Sequence, residues 1–192
     1  MRDFLKSAAR AAAFLIVLPR ILSFRFWSSF LGRDRALQGA TQSLARVTGI
    51  RGQYLRRAFL AHAIAGCHPT AAICWGTVFS KAGARIDENA YVGPGCHLGL
   101  VHVGRNVLLA AGVHVPSGMQ THGTGDVETP IRDQAGTLTL IEIGEGTWIG
   151  SAAVVMADVG RDSVVGAGSV VTKPIPERAI AAGVPARVIR SR

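Results

Sequence analysis

The sequence predicts a mainly β chain built of coiled short strands, preceded by an α-helical region. Three observations predict it. Aliphatic residues recur at short, fixed spacing: Ile143, Ile149, Val155, Val159, Val165 and Val171, with a step of six everywhere except the four between Val155 and Val159. Gly usually follows each of them. Six is neither a heptad nor a smooth helical period, and it suits short strands separated by tight Gly-containing turns. Composition agrees, with 48% hydrophobic but only 6% aromatic residues and 23 Gly in 192 residues. That favours a core of small and branched aliphatics with many turns. Charge is segregated: residues 1–57 hold eleven Lys/Arg against two Asp/Glu, a net of +9, whereas residues 58–192 hold ten of each, a net of zero. A repeat body that bound nucleic acid would carry the excess itself, so nucleic acid is excluded as a partner.

Taken in order, residues 1–64 form the basic, apolar helical region and residues 65–192 the coiled domain. Residues 3–31 read as a pair of helices parted at Pro19. The run Ala11–Leu18, AAAFLIVL, is apolar on all sides, but eight residues cannot span a bilayer core, which needs about 20. Arg2 and Lys6 give a basic start, yet Arg20 and Arg25 stand where a small-x-small cleavage site would follow a signal peptide. The helices are therefore expected to lie on or dip into a membrane. Phe14, Leu15, Ile16, Phe24, Phe26, Trp27 and Phe30 would enter the acyl boundary, and Arg10, Arg20 and Arg25 would face anionic headgroups. The alternative is a helical cap packed on the body or on a neighbouring subunit. Residues 34–64 continue as helix with a break near residues 48–52, and Arg51, Arg56 and Arg57 either extend the lipid-facing surface or form a solvated basic face. Cys67, Cys74 and Cys96 lack metal-like CxxC spacing and read as reduced buried thiols.

Further aliphatic starters stand at Ile86, Val92 and Leu98, then, after a five-residue step, at Val103, Leu109 and Val115. Each is expected to point inward, and stacked coils bury an interior no single repeat could bury. Residues 116–142 interrupt the repeat with Gly, Thr, Asp and Pro. A long excursion inside a compact domain is usually functional or disordered, and this one carries His122. After Val171 the tail 172–192 contains Pro174, Pro176 and Pro185, which should stop the coil and hold it extended.

The segments TWIGSAAVV, VVGAGSVVTKPIP and AAGVPARVI resemble the hexapeptide-repeat acyltransferases, which fold as left-handed parallel β-helices, and within them the maltose, galactoside and xenobiotic acetyltransferase branch. The likeness covers about residues 73–192. The basic N-terminus with SGMQTHG, PIRDQAG and VVMADVG resembles, more narrowly, O-acetyltransferases of exopolysaccharide loci. The resemblance implies a homotrimer with acyl-CoA, most simply acetyl-CoA, between neighbouring β-helices. It also implies direct transfer to an acceptor hydroxyl, expected to be that of a glycan or lipid-linked sugar; the chemistry needs no metal, and the basic, aromatic-rich N-terminus is expected to hold the protein at the cytoplasmic face of the inner membrane. A sugar hydroxyl is a poor nucleophile, and a neutral imidazole within hydrogen-bond reach can remove its proton and then protonate the leaving thiolate. Backbone N–H groups of a rigid coil could stabilise the oxyanion.

By the resemblance, His122 is the candidate base, although the galactoside-type position falls two residues earlier, near Gln120; His114 and His102 are the other candidates. A carboxylate should orient the imidazole: Glu142, where the excursion rejoins the coil, is preferred over Asp126, Asp133 and Glu128. Trp148 matches the family tryptophan beside acceptor and pantetheine, with packing under the excursion as its structural alternative. Ser151 looks like a CoA contact, and Ala167 and Thr172 match positions whose backbone meets the cofactor. Arg187 matches a basic residue near the CoA phosphates, with Lys173 and Arg190 as possible helpers, since guanidinium binds phosphate bidentately. Two rivals use the same fold. A zinc hydratase of the γ-carbonic-anhydrase type would need His97 and His102, five apart, plus His114 or His122. A membrane scaffold would need no base.

Overall fold

A computed structural model of the chain describes residues 2–192, with side chains from residue 6 onward. Three helices, α1 (Arg2–Leu31), α2 (Arg33–Ala45) and α3 (Gly49–Ala63), precede a parallel β-solenoid of about six turns. The inward residues stack in three columns, one per face. Cys67, Ile86, Val103, Ile143, Val159 and Ile175 form the first, through parallel pairs and bridges. Ile73, Val92, Leu109, Ile149, Val165 and Ala181 form the second. Phe79, Leu98, Val115, Val155 and Val171 form the third. All but Cys67 are buried, so the inward reading of the aliphatic starters holds.

The columns explain the irregular steps. Within a turn, first face to second and second to third, every step is six residues. From the third face back to the first, the steps are Phe79 to Ile86, Leu98 to Val103, Val115 to Ile143, Val155 to Val159 and Val171 to Ile175, or 7, 5, 28, 4 and 4 residues. Every deviation falls at one corner of the prism. The other two corners carry a left-handed residue three after the inward one, as at Asn89 (φ 55°), Asn106 (φ 56°), Gly112 (φ 68°), Ala152 (φ 56°) and Gly168 (φ 66°). The Gly after each aliphatic has a separate cause. A Cβ on Gly150 would lie 2.5 Å from the Ala167 backbone nitrogen, and one on Gly93 would lie 2.7 Å from the Ala110 carbonyl carbon. Coils stack too closely there for any side chain.

A solenoid leaves a strand edge at each end, and unpaired edges need cover. Here α2 and α3 cover the first coil. Thr41 Oγ1 lies 3.2 Å from both the Phe79 oxygen and the Phe79 nitrogen. The buried Arg56 donates to the carbonyls of Ile73 (2.9 Å), Leu44 (3.0 Å) and Val47 (2.6 Å), and Arg57 donates to Ala71 O at 3.1 Å. Arg56 and Arg57 are thus bolts between helix and coil, which corrects their assignment to a lipid-facing surface. Burial lowers the Arg56 pKa from its ordinary value; three carbonyls satisfy its Nε and Nη1, while Nη2 is buried without a partner among the described residues. Leu37, Phe59 and Leu60 complete one continuous core with Ile73 and Phe79; each such burial contributes about 1.5–3 kcal/mol.

The helix α1 corrects the expected break: it runs unbroken through Pro19. One lost backbone bond is outweighed by Val17, Ile21 and Phe24, buried on either side of the proline against α2 and α3. Phe24 therefore faces the core and not solvent. By length and composition alone, Lys6–Leu31 is apolar enough to cross a membrane, which the eight-residue run was not. The tail also differs from the expected extended segment. Ile175 and Ala179–Gly183 add two faces of a sixth turn, and Ala186–Ser191 folds back antiparallel over that last edge. Pro176 sits where Gly144 and Gly160 donate N–H groups to the next coil; the last coil has no successor, so proline costs nothing. All three cysteines are free, and burial pushes the Cys67 thiol up to about 12 and Cys96 to about 11.

Candidate active site

The excursion leaves and rejoins the solenoid at its variable corner. The buried Ser117 anchors its root, accepting the Leu100 N–H at 2.7 Å. Its two arms run together through Thr139 N–H to Ser117 O (2.9 Å) and Thr137 N–H to Gln120 O (2.6 Å). Gly136 packs against the backbone of Thr121 and His122, where a Cβ would meet the His122 nitrogen at 2.5 Å. The tip is held by Gln134, which donates to Asp126 O and Thr129 O (2.5 and 2.7 Å). Asp126 accepts from the Glu128 N–H and the Thr129 hydroxyl, and these bonds lower its carboxyl pKa. Asp126 is committed to the loop's own turn, and Asp133 lies 3.5 Å from Arg132.

The ring of His122 is exposed at the surface of this loop and carries no hydrogen bond among the described residues. Glu142 does not orient it. The Glu142 carboxylate instead meets His102 Nδ1 at 2.7 Å, and Asp87 meets His102 Nε2 at 2.8 Å. The reason is register: Glu142 pairs with His102 in the adjacent coil, and alternate strand residues share a face. Asp158 in the following coil accepts the Glu142 N–H at 2.8 Å. With each ring nitrogen facing a carboxylate, neither is open to a substrate hydroxyl. The Asp87–His102–Glu142 clamp escaped the sequence because its members lie 15 and 40 residues apart, and only the coil length brings them together.

His97 and His114 project outward from the third face, their rings 5.6 Å apart and edge-on. Burial, and secondarily His97, lowers the His114 pKa. His102 projects from the first face, so the five-residue spacing of His97 and His102 does not bring them to one site. No cluster of three His, Cys, Asp or Glu suited to a metal occurs among the described residues.

Trp148 stands outward on the second face, half-exposed, in register with Leu108, itself in register with Tyr91. Ser151 and Ala167 lie one above the other at the corner between second and third faces, where the Gly168 N–H donates to Ser151 O at 2.8 Å. Both are exposed, as are Lys173 and Arg187, while Thr172 is half-buried. Arg187 spends one N–H on Ala186 O (2.9 Å). Ser151 and Ala167 thus share a corner, Trp148 stands on the face beside it, and Thr172 and Lys173 follow Val171 on the third face.

The family model for the hexapeptide repeat of succinyl-transferase matches residues 141–173. Galactoside O-acetyltransferase of Escherichia coli K12 is 32% identical over 163 residues, covering 74% of this chain and 80% of the relative. This chain is a hexapeptide-repeat acetyltransferase. Among solved structures, a maltose O-acetyltransferase from Clostridium difficile 630 matches with a TM-score of 0.59 at 21% identity, over 82% of this chain and 87% of that one. A galactoside acetyltransferase in complex with coenzyme A matches at 0.57 and 23% identity, over 83% and 78%. At these identities the likeness is one of fold. For this acetyltransferase, the residues resembling a CoA site are exposed hydroxyl, backbone and cationic groups, a donor set that fits a thioester carrier bearing phosphates.

Proposed function

We propose that this acetyltransferase carries an acetyl group from acetyl-CoA to a sugar hydroxyl of a lipid-linked or exopolysaccharide precursor, with His122 as general base. The observation that carries this reading is the contrast between two imidazoles: His102 is clamped at both nitrogens, whereas His122 is exposed and unengaged on the excursion. A base needs a free nitrogen within reach of the hydroxyl. The donor supplies the activated acetyl carbonyl. His122 takes the hydroxyl proton as the new ester C–O bond forms, and returns it to the departing thiolate, so charge and protons balance. Trp148, Ser151, Ala167 and Thr172 line the donor side, with Lys173 and Arg187 toward its phosphates. Glu142 serves in support, holding His102 where the excursion rejoins the coil.

Substituting His122→Ala should lower kcat by roughly 10²–10⁴-fold while coenzyme A binding, measured by calorimetry, persists. Near wild-type turnover would move the base elsewhere. A homotrimer is supported by the second face, where Tyr91, Leu108 and Trp148 leave an apolar column exposed on the single chain; a monomer in sedimentation would remove that element. Placement on an anionic cytoplasmic membrane surface is supported by Leu15, Ile16, Leu22, Phe26, Trp27 and Phe30, all exposed on α1, beside the +9 excess of residues 1–57. Replacing Phe26, Trp27 and Phe30 by serine should move the protein from the membrane pellet to the soluble fraction, and an unchanged pellet would defeat the placement.

A further inference from the structure

Between α1 and α2 lies a cavity of about 330 Å³ whose polar lining is cationic and hydroxylic. Arg20 and Arg35 line it with Ser23, and no acidic side chain does. Arg20 gives Nη2 to Gly39 O (3.3 Å) and to the Ser43 hydroxyl, but its Nε–H is buried without an acceptor. Arg35 has no acceptor among the described residues. The carboxylate beside it in sequence, Asp34, is already taken by Lys81 Nζ (3.1 Å) and the Ala82 N–H (2.9 Å). Two guanidinium groups and a hydroxyl therefore line one cavity without a counter-charge, a donor set suited to a phosphate oxyanion.

The remaining walls say which phosphate. Trp27 and Leu31 line the cavity and are also members of the exposed apolar stripe of α1, each 49% exposed. Tryptophan is favoured at the headgroup level of a bilayer. A phosphate attached to hydrocarbon would meet the arginines and the stripe together, whereas free phosphate would use only the arginines. We propose that this cavity holds the phosphate of an anionic membrane lipid, one per chain, with Arg20, Arg35 and Ser23 as donors. The proposal rests on the membrane reading above and goes further, replacing smeared attraction by one defined site.

The test uses the full chain with phosphatidylglycerol as probe. Protein extracted from vesicles containing phosphatidylglycerol should keep one lipid per chain in native mass spectrometry. The variant Arg35→Gln, at an exposed position, should lower that retention roughly tenfold, the loss of one charge-assisted contact. The variant Arg46→Gln, exposed at the end of α2 and outside the cavity, should retain it, and millimolar inorganic phosphate should not displace it. Equal retention by the two variants, or displacement by inorganic phosphate alone, would overturn the site while vesicle binding stood. No binding to phosphatidylglycerol vesicles by the unaltered protein would overturn both site and membrane placement. Coenzyme A binding, measured alongside, reports on the catalytic reading independently.

Discussion

Two kinds of corner make this solenoid, and they divide the work. Two corners repeat with a six-residue step, a left-handed residue and, after most inward aliphatics, a glycine packed against the next coil. The third accepts steps of 4, 5, 7 and 28 residues. The fixed corners set the spacing between coils, since a change there meets backbone on the neighbouring turn. The free corner meets little, so it can emit a 25-residue excursion, residues 116–140, without disturbing the columns on either side. Rigidity and chemistry are separated by geometry: the wall with Trp148, Ser151 and Ala167 is built at fixed corners, and the proposed base leaves from the free one.

The sharpest way to break this contrast is to add the same methyl group on both sides of it. At Gly150 a Cβ would lie 2.5 Å from Ala167 N and 2.8 Å from Ala167 Cα, whereas nothing lies within 4 Å of a Cβ at Gly125 in the excursion. Gly150→Ala should cost about 3 kcal/mol, the upper range of an overpacked site, and Gly125→Ala less than about 0.5 kcal/mol. Urea midpoints of the two variants decide it; equal costs would mean that the coils can spread.

Much of this was legible in the sequence, for identifiable reasons. The inward columns follow from the six-residue step alone, and the excursion from the gap between Val115 and Ile143. That all irregular steps share a corner was not legible, because it requires dividing the chain into turns of three steps. Arg56 reads as a surface cation in a basic helix; only the first coil's uncovered carbonyls reveal it as a buried bolt. Pro19 reads as a helix end, and the tertiary packing of Val17, Ile21 and Phe24 overrides that local signal. Glu142 was legible as a partner for an imidazole, but register gives it His102 in place of His122.

A milder probe of the fixed corners is Ala152. It takes φ 56° where the corners in the adjacent coils carry Gly112 and Gly168. A left-handed conformation costs a residue with a Cβ roughly 1–2 kcal/mol, and glycine recovers part of this while losing more entropy on folding. Ala152→Gly should raise stability by about 0.5–1 kcal/mol, read as a higher thermal midpoint. A lower midpoint would show that the Ala152 methyl packs usefully at that corner.

The smallest effect expected concerns His114, on the last regular strand before the free corner. Its pKa is held below the ordinary value of 6.5, first by desolvation and then by the neighbouring His97. The folded chain therefore prefers the neutral ring. Above about pH 6.5 the ring is neutral in both folded and unfolded states, and its contribution is fully present. As pH falls through 6.5 the unfolded chain takes up the proton first, and stability drops until the folded ring is protonated too. The partial exposure of His114 keeps the slope shallow, because solvent screens both the desolvation and the repulsion. The variant His114→Asn should accordingly lose less stability than the unaltered protein between pH 7.5 and pH 5, measured by urea midpoints at each. Parallel pH profiles would mean that His114 contributes nothing to the acid sensitivity of the fold.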